Sequence, residues 1–298
     1  MAEVSCKLGK LQSGAKPIQD GPIEEFLRSL GMNDLNDAVR DPNIIERFTD
    51  SYDAWIRSSS LNGIRGLGSY GRYMSFAVTH AIEQFLMKHR QRRIRTFRGE
   101  YPGTSGLISG YNLDHAYLPD DPITGNDAVI ISLPFSGSGN QHPLMSKVLD
   151  DCETHGIPVM LDCAFFGICK GIDVDLRGNI DTIAFSLSKC YNIPEHRIGM
   201  IYSNAPPAGI ELLHKHGYTT RFGAALALRL FDGFGPDYAY NRYANAQRLI
   251  CHELGGMSPS DTVIFSNGDD VWSMFNRGDG NNRIHIGNLL PMMISATT

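Results

Sequence analysis

The chain of 298 residues reads as an α/β protein built on a mostly parallel sheet flanked by helices. Two observations carry that reading. The runs DAVIISL (127–133) and IPVMLD (157–162) are continuous apolar stretches, the pattern of strands covered on both faces. Segments of helical period alternate with them: Met74, Val78, Ile82 and Phe85 before, and Leu144, Val148 and Leu149 between.

Composition narrows the function. At 42% hydrophobic the chain can bury a substantial core, and its length suits one large or two modest domains. With 27 basic and 32 acidic residues the formal charge is −5, so nothing in it suggests a nucleic-acid or anionic-membrane partner, and none is expected. The local basic run at 88–93 follows a helix and reads as its solvated last turn. Cys6, Cys152, Cys163, Cys169, Cys190 and Cys251 form no CxxC and no metal spacing with histidine, so they read as reduced thiols of a cytoplasmic protein. The first 14 residues lack an apolar signal core, and no stretch approaches 18 apolar residues.

In order, residues 1 to about 20 read as a loose arm. Gly21-Pro22 opens a short helix and Asp41-Pro42 another, with Ile44, Ile45, Phe48 and Tyr52 at helical spacing. Residues 1–60 are therefore expected to form a helical arm belonging in part to a small domain. At 61–71 the sequence LNGIRGLGSYG contains Gly66-x-Gly68-x-x-Gly71, a match to the dinucleotide fingerprint. That fingerprint needs a buried strand before it and an acid about 20 residues on. SSSLNGIR and QRRIR supply neither, so a nicotinamide site is rejected. A Gly-rich turn opening the next helix would still present free N–H groups to an anion.

Residues 93–97 read as a strand, followed by Arg98-Gly99-Glu100-Tyr101-Pro102. The strand 127–133 runs into Pro134-Phe135-Ser136-Gly137-Ser138-Gly139-Asn140, and residues 142–152 read as a helix. His142 and His155 match no ligand pattern and read as loop or surface residues. The strand 157–162 ends on Asp162; in open α/β sheets, ligands sit at such carboxyl ends. Helices follow at about 220–231 and, capped by Asp237, to about 254. Short strands are expected at 263–266 and 271–275, and a short alternating segment at 281–287.

The chain is organised around 181–203, DTIAFSLSKCYNIPEHRIGMIYS, two short apolar strands enclosing Ser186, Ser188, Lys189 and Arg197. A lysine at the end of a buried strand is partly desolvated, which disfavours its charged form. A neutral lysine amine forms a Schiff base with an aldehyde. Serine hydroxyls and an arginine eight residues on suit a phosphate dianion. Aldehyde plus phosphate describes pyridoxal 5'-phosphate. The alternative is a surface turn after an ordinary strand.

Ser186-Leu187-Ser188-Lys189 with Arg197 resembles the lysine segment of fold-type-I pyridoxal-phosphate enzymes, the aspartate aminotransferase superfamily. The resemblance implies a mostly parallel seven-stranded sheet with a reduced α+β small domain, divided as 1–60, 61–210 and 211–298. It implies that Gly68, Ser69 and Tyr70 bind the cofactor phosphate, that Tyr101 stacks on the pyridine ring and that Asp162 faces the pyridine nitrogen. Ser136 and Phe165 stand where the family carries an asparagine and a tyrosine at the ring O3′. Arg283 takes the place of the arginine that binds the substrate α-carboxylate. The implied activity is a homodimeric aminotransferase acting on an amino acid and a 2-oxo acid, with 219–221 as a candidate segment reaching the partner's site. A lyase, decarboxylase or racemase is the alternative within the same chemistry, and a non-enzymatic partner protein keeping the fold lies outside it.

Overall fold

The structure, a computed structural model, describes residues 9–295. Three helices come first: α1 (Gly21–Ser29), α2 (Met32–Arg40) and α3 (Ile44–Arg57). Asp20 caps α1 by accepting from the Ile23 N–H at 2.9 Å. The helical spacing read in α3 turns Ile44, Ile45, Phe48 and Tyr52 into the core.

Strands and helices then alternate: β1 (Gly63–Arg65), β2 (Gly71–Ser75), α4 (Ala77–Lys88), β3 (Arg93–Phe97), α5 (Pro102–Gly110), β4 (His115–Leu118), β5 (Asp127–Ser132), α6 (Met145–Thr154), β6 (Val159–Cys163), β7 (Asp173–Asp175), β8 (Ile180–Ser186) and β9 (Gly199–Ser203). Seven strands form one sheet in the order β2-β9-β8-β6-β5-β3-β4. Only β9 runs antiparallel to its neighbours. The central strands β5 and β6 are buried along their whole length, as their unbroken apolar runs predict.

The rest of the chain is α7 (Ala208–Lys215), α8 (Arg221–Gly233), α9 (Tyr238–Leu254), a three-stranded antiparallel sheet of β10 (Met257–Pro259), β11 (Phe265–Gly268) and β12 (Asn282–His285), and α10 (Leu290–Ser295). The arm at 9–20 joins this sheet, with Gln12 bridging to His285. The apolar helix α8 does not await a partner: α3 packs along it, with Tyr52 and Trp55 against Phe231 at 5.2 and 5.5 Å.

Four expectations need correction. Met74 belongs to β2, not to the helix after it. Residues 270–275 form a 3₁₀ turn, not a strand; Asp269 accepts from the Val271 N–H, and Val271 and Met274 point to solvent instead of alternating into a core. His142 is buried and stacked on Phe97 at 3.6 Å. Asp237 does not cap α9 through its side chain, which accepts from Ser59 Oγ and the Ser60 N–H instead. Among the described residues no helix is long and apolar enough to cross a membrane, and no cluster of ligating side chains could hold a metal. Cys152, Cys163, Cys169, Cys190 and Cys251 are free and buried; Cys6 lies outside the described residues.

Candidate active site

A cavity of about 400 Å³ lies at the carboxyl ends of the parallel strands. Register explains why the site assembles there. Ser75 at the end of β2 lies opposite Gly199, which lies opposite Ser186 at the end of β8. Asp162 of β6 lies between Ala184 of β8 and Ser132 of β5. The same strand ends therefore deliver Ser132, Asp162 and Ser186 to one floor.

Lys189 follows β8 by three residues and is half-buried. Burial lowers its pKa, and the cations Arg197 and Arg283 lower it further. Its Nζ donates to the Ala15 carbonyl of the N-terminal arm, which roofs the cavity. On one side stands Arg197, held at φ 51°. Its guanidinium donates to Ser188 Oγ and Thr79 Oγ1, each at 3.4 Å, while Ser186 Oγ lies 2.9 Å from Ser188 Oγ. Thr79 is in the first turn of α4, whose N-terminus no side chain caps. Those free N–H groups and the helix dipole make an anion site. Ala77, at φ 60°, brings the backbone close to Gly199, where a Cβ would stand 2.7 Å from the Ala77 Cα.

On the other side lies Asp162, 4% exposed. Burial pushes its carboxyl up to about 7; the Ala164 N–H, donating at 2.9 Å, opposes that rise. Behind Ser132 sits Glu100, equally without a cation. It accepts from the Ser132 N–H at 3.0 Å and from Ser132 Oγ, and burial pushes its pKa up to about 7. Ser132 Oγ in turn accepts from the Ser136 N–H at 2.8 Å.

Tyr101 lines the mouth, 41% exposed, with its ring across Gly103, where a Cβ would meet it at 2.3 Å. Phe165 lines the wall edge-on to Phe265 at 5.3 Å. Arg283 is 2% exposed, not a solvated edge-strand residue. Its guanidinium stacks over Phe265 at 4.1 Å and donates to the Ser136 and Ser13 carbonyls.

The cavity thus gathers Tyr101, Ser136, Asp162, Phe165, Ser186, Ser188, Lys189, Arg197 and Arg283. It does not gather Gly68, Ser69 or Tyr70. Tyr70 donates its hydroxyl to the Ile180 carbonyl at 2.8 Å, at the amino end of β8. The Gly-rich turn opens strand β2, not a helix, and β2 carries the chain across the sheet before α4 begins. The helix start that faces the cavity is 77–79, in AVT. The signal available was the apolar helix starting after Ser75; assigning Met74 to that helix concealed it. Glu100 and Arg277 also escaped, since neither sits in a motif.

The sheet order and its single antiparallel strand form an α/β fold shared with solved aminotransferases and a PLP-bound lyase. No family model and no curated protein sequence matches the chain. Among solved structures it is similar to an aromatic aminotransferase from Pyrococcus horikoshii, at TM-score 0.68 and 13% identity over 98% of this chain and 96% of that one. A probable N-succinyldiaminopimelate aminotransferase from Thermus thermophilus superposes at TM-score 0.65 and 13% identity, over 95% and 91%. A PLP-bound C–S lyase from Staphylococcus hominis superposes at TM-score 0.64 and 10% identity, over 88% and 82%.

Proposed function

We propose that the chain is a pyridoxal-phosphate-dependent aminotransferase that exchanges an amino acid with a 2-oxo acid. The observation that carries this is the setting of Lys189: a desolvated amine in one cavity with an anion site on one side and an unpaired buried carboxyl on the other.

The donor set fits the cofactor. Arg197, Ser188, Thr79 and the first N–H groups of α4 match a phosphate dianion. Asp162 is costly to ionise as it stands, and a protonated pyridine nitrogen would relieve that cost. When bound, pyridoxal phosphate supplies a ring that withdraws electrons from the substrate α-carbon. Asp162 holds the proton at the ring nitrogen. Tyr101 covers the mouth and limits ring motion. Phe165 and Ser136 line the cavity and would offer a bound ring one short hydroxyl where the resembled family offers two donors. Lys189, with its lowered pKa, binds the cofactor and then moves the proton at the substrate α-carbon. Arg283 takes the α-carboxylate, for which its Nε is buried and unpartnered. A lyase is the second reading, favoured by the shared fold of the C–S lyase. We further propose a homodimer, as the resemblance implies; the partner would cover Tyr101 at the cavity mouth, 41% exposed. Arg221, read as a residue reaching a partner, is committed within the chain to the Val39 and Asp41 carbonyls.

The test is to titrate the purified chain with pyridoxal phosphate, follow its absorbance, and then assay 2-oxo acid formation from a panel of amino acids. A chain that takes up no cofactor refutes the proposal; cofactor uptake with ammonia or thiol release replaces transamination by the lyase reading.

A further inference from the structure

One buried carboxyl beside the cavity has no part in the reaction above. Glu100 accepts from the Ser132 N–H at 3.0 Å and from Ser132 Oγ. Ser132 lines the cavity, and its Oγ also accepts from the Ser136 N–H at 2.8 Å. A serine hydroxyl has one hydrogen and two lone pairs. The Ser136 N–H takes one lone pair, so the proton on Glu100 decides the rest. With Glu100 ionised, the Ser132 hydrogen goes to Glu100, and one lone pair is left for the cavity. With Glu100 protonated, its O–H donates to that lone pair, and the Ser132 hydrogen is free to enter the cavity. The same hydroxyl is therefore an acceptor toward the cavity in one state and a donor in the other.

Packing holds the pair together. Glu100 follows β3 by three residues, Ser132 ends the neighbouring strand β5, and both are buried. Between β3 and Glu100 the chain turns at Gly99, at φ 90°, where a Cβ would stand 2.7 Å from the Arg277 carbonyl in the turn before β12. Burial first, and then the charge of Asp162 on β6, push the Glu100 pKa up to about 7 against the pull of the Ser132 bonds. No cation faces it among the described residues. Arg98 donates to Asp120 at 2.7 Å and stacks on Tyr117, and Arg277 lines the cavity with no carboxylate acting on it.

We propose that Ser132 is a hydrogen-bond donor to the ring of the bound cofactor, and that Glu100 is the positioning residue that frees the Ser132 hydrogen by keeping its own proton. This rests on the pyridoxal-phosphate reading. Ser132 supplies, beside Ser136, the donor that Phe165 cannot be. Below about pH 7 the donor is in place; as pH rises through 7, Glu100 ionises and takes the hydrogen back.

The test reads affinity, not turnover: calorimetric titration of the cofactor-free chain with pyridoxal phosphate at pH 6 and pH 8. Lys189 and Asp162 are common to every chain compared. Glu100→Gln keeps an acceptor for the Ser132 N–H and donates its amide to Ser132 Oγ, so it holds the freed state at every pH. At pH 8 a carboxyl with a pKa of about 7 is protonated in about one chain in ten, so the wild type should bind about tenfold more weakly than Glu100→Gln. At pH 6 the two should agree within about twofold. The gap at pH 8 should vanish when both chains also carry Ser132→Ala; should that variant not fold, Ser132→Cys, a weak donor, replaces it. A gap that does not widen with pH, or that persists without the Ser132 hydroxyl, overturns the inference and leaves the pyridoxal-phosphate reading standing. A chain that takes up no pyridoxal phosphate overturns both.

Discussion

Replacing Asp162 by Asn isolates the electrostatic cost of the site. The Asp162 carboxyl is 4% exposed and has no cation to pair with. Burial raises its pKa from 3.8 to about 7. That difference corresponds to about 4 kcal/mol of folding free energy. Below about pH 4 both folded and unfolded chains keep the proton, and the full stability is present. Between about pH 4 and 7 the unfolded chain has released the proton while the folded chain retains it, so stability falls as pH rises, and above pH 7 the loss is complete. Asn has no proton to lose, and its side-chain oxygen can keep the Ala164 N–H. Glu100, raised to about 7 for the same reason, contributes a parallel loss in both proteins. Urea unfolding of the cofactor-free chain at pH 5 and pH 8 should therefore show the wild type losing about 3 kcal/mol more than Asp162→Asn. Pyridoxal phosphate should offset that loss in the wild type, since its ring nitrogen gives the charged carboxylate a partner. If both proteins lose the same stability between the two pH values, Asp162 is not held in a desolvated, unpaired state, and its assignment to the ring nitrogen loses its physical basis.

Three further outcomes are expected. Thr79→Ala should weaken pyridoxal phosphate binding by about tenfold, the loss of one hydrogen bond to a charged group, while Ser69→Ala leaves it unchanged; equal effects would put the phosphate back at the Gly-rich turn. Lys189→Ala should fold, melt within a few degrees of the wild type and give no covalent cofactor adduct after borohydride treatment; an adduct mapped by mass spectrometry to Lys147, Lys170 or Lys215 in the wild type would displace Lys189 from its role. Gly99→Ala combines a positive φ with a Cβ 2.7 Å from the Arg277 carbonyl, and should cost about 1–3 kcal/mol in denaturant unfolding; a wild-type midpoint would mean that the Arg277 turn does not rest there.

The sequence by itself determined the elements whose pattern is local. A short unbroken apolar run bounded by turn residues fits a strand covered on both faces, so β5 and β6 were legible, and helical spacing made α3 legible. Lys189, Arg197 and Asp162 were legible because their chemistry depends on sequence neighbours: a strand end, adjacent serines, a fixed spacing. What sits across the sheet from them is not local. β2 is five residues long and polar at its start, so nothing in its composition separates it from the helix it precedes. Its role came from pairing with β9, which sets its direction and brings the start of α4, not Ser69, to the cavity. Glu100 looks like any turn glutamate until Ser132 is folded onto it. Arg277 looks like a solvated loop residue until the turn before β12 lands on Gly99. Burial without an opposite charge is what gives Glu100, Asp162 and Arg277 their shifted pKa values, and burial is a property of packing between segments far apart in the chain.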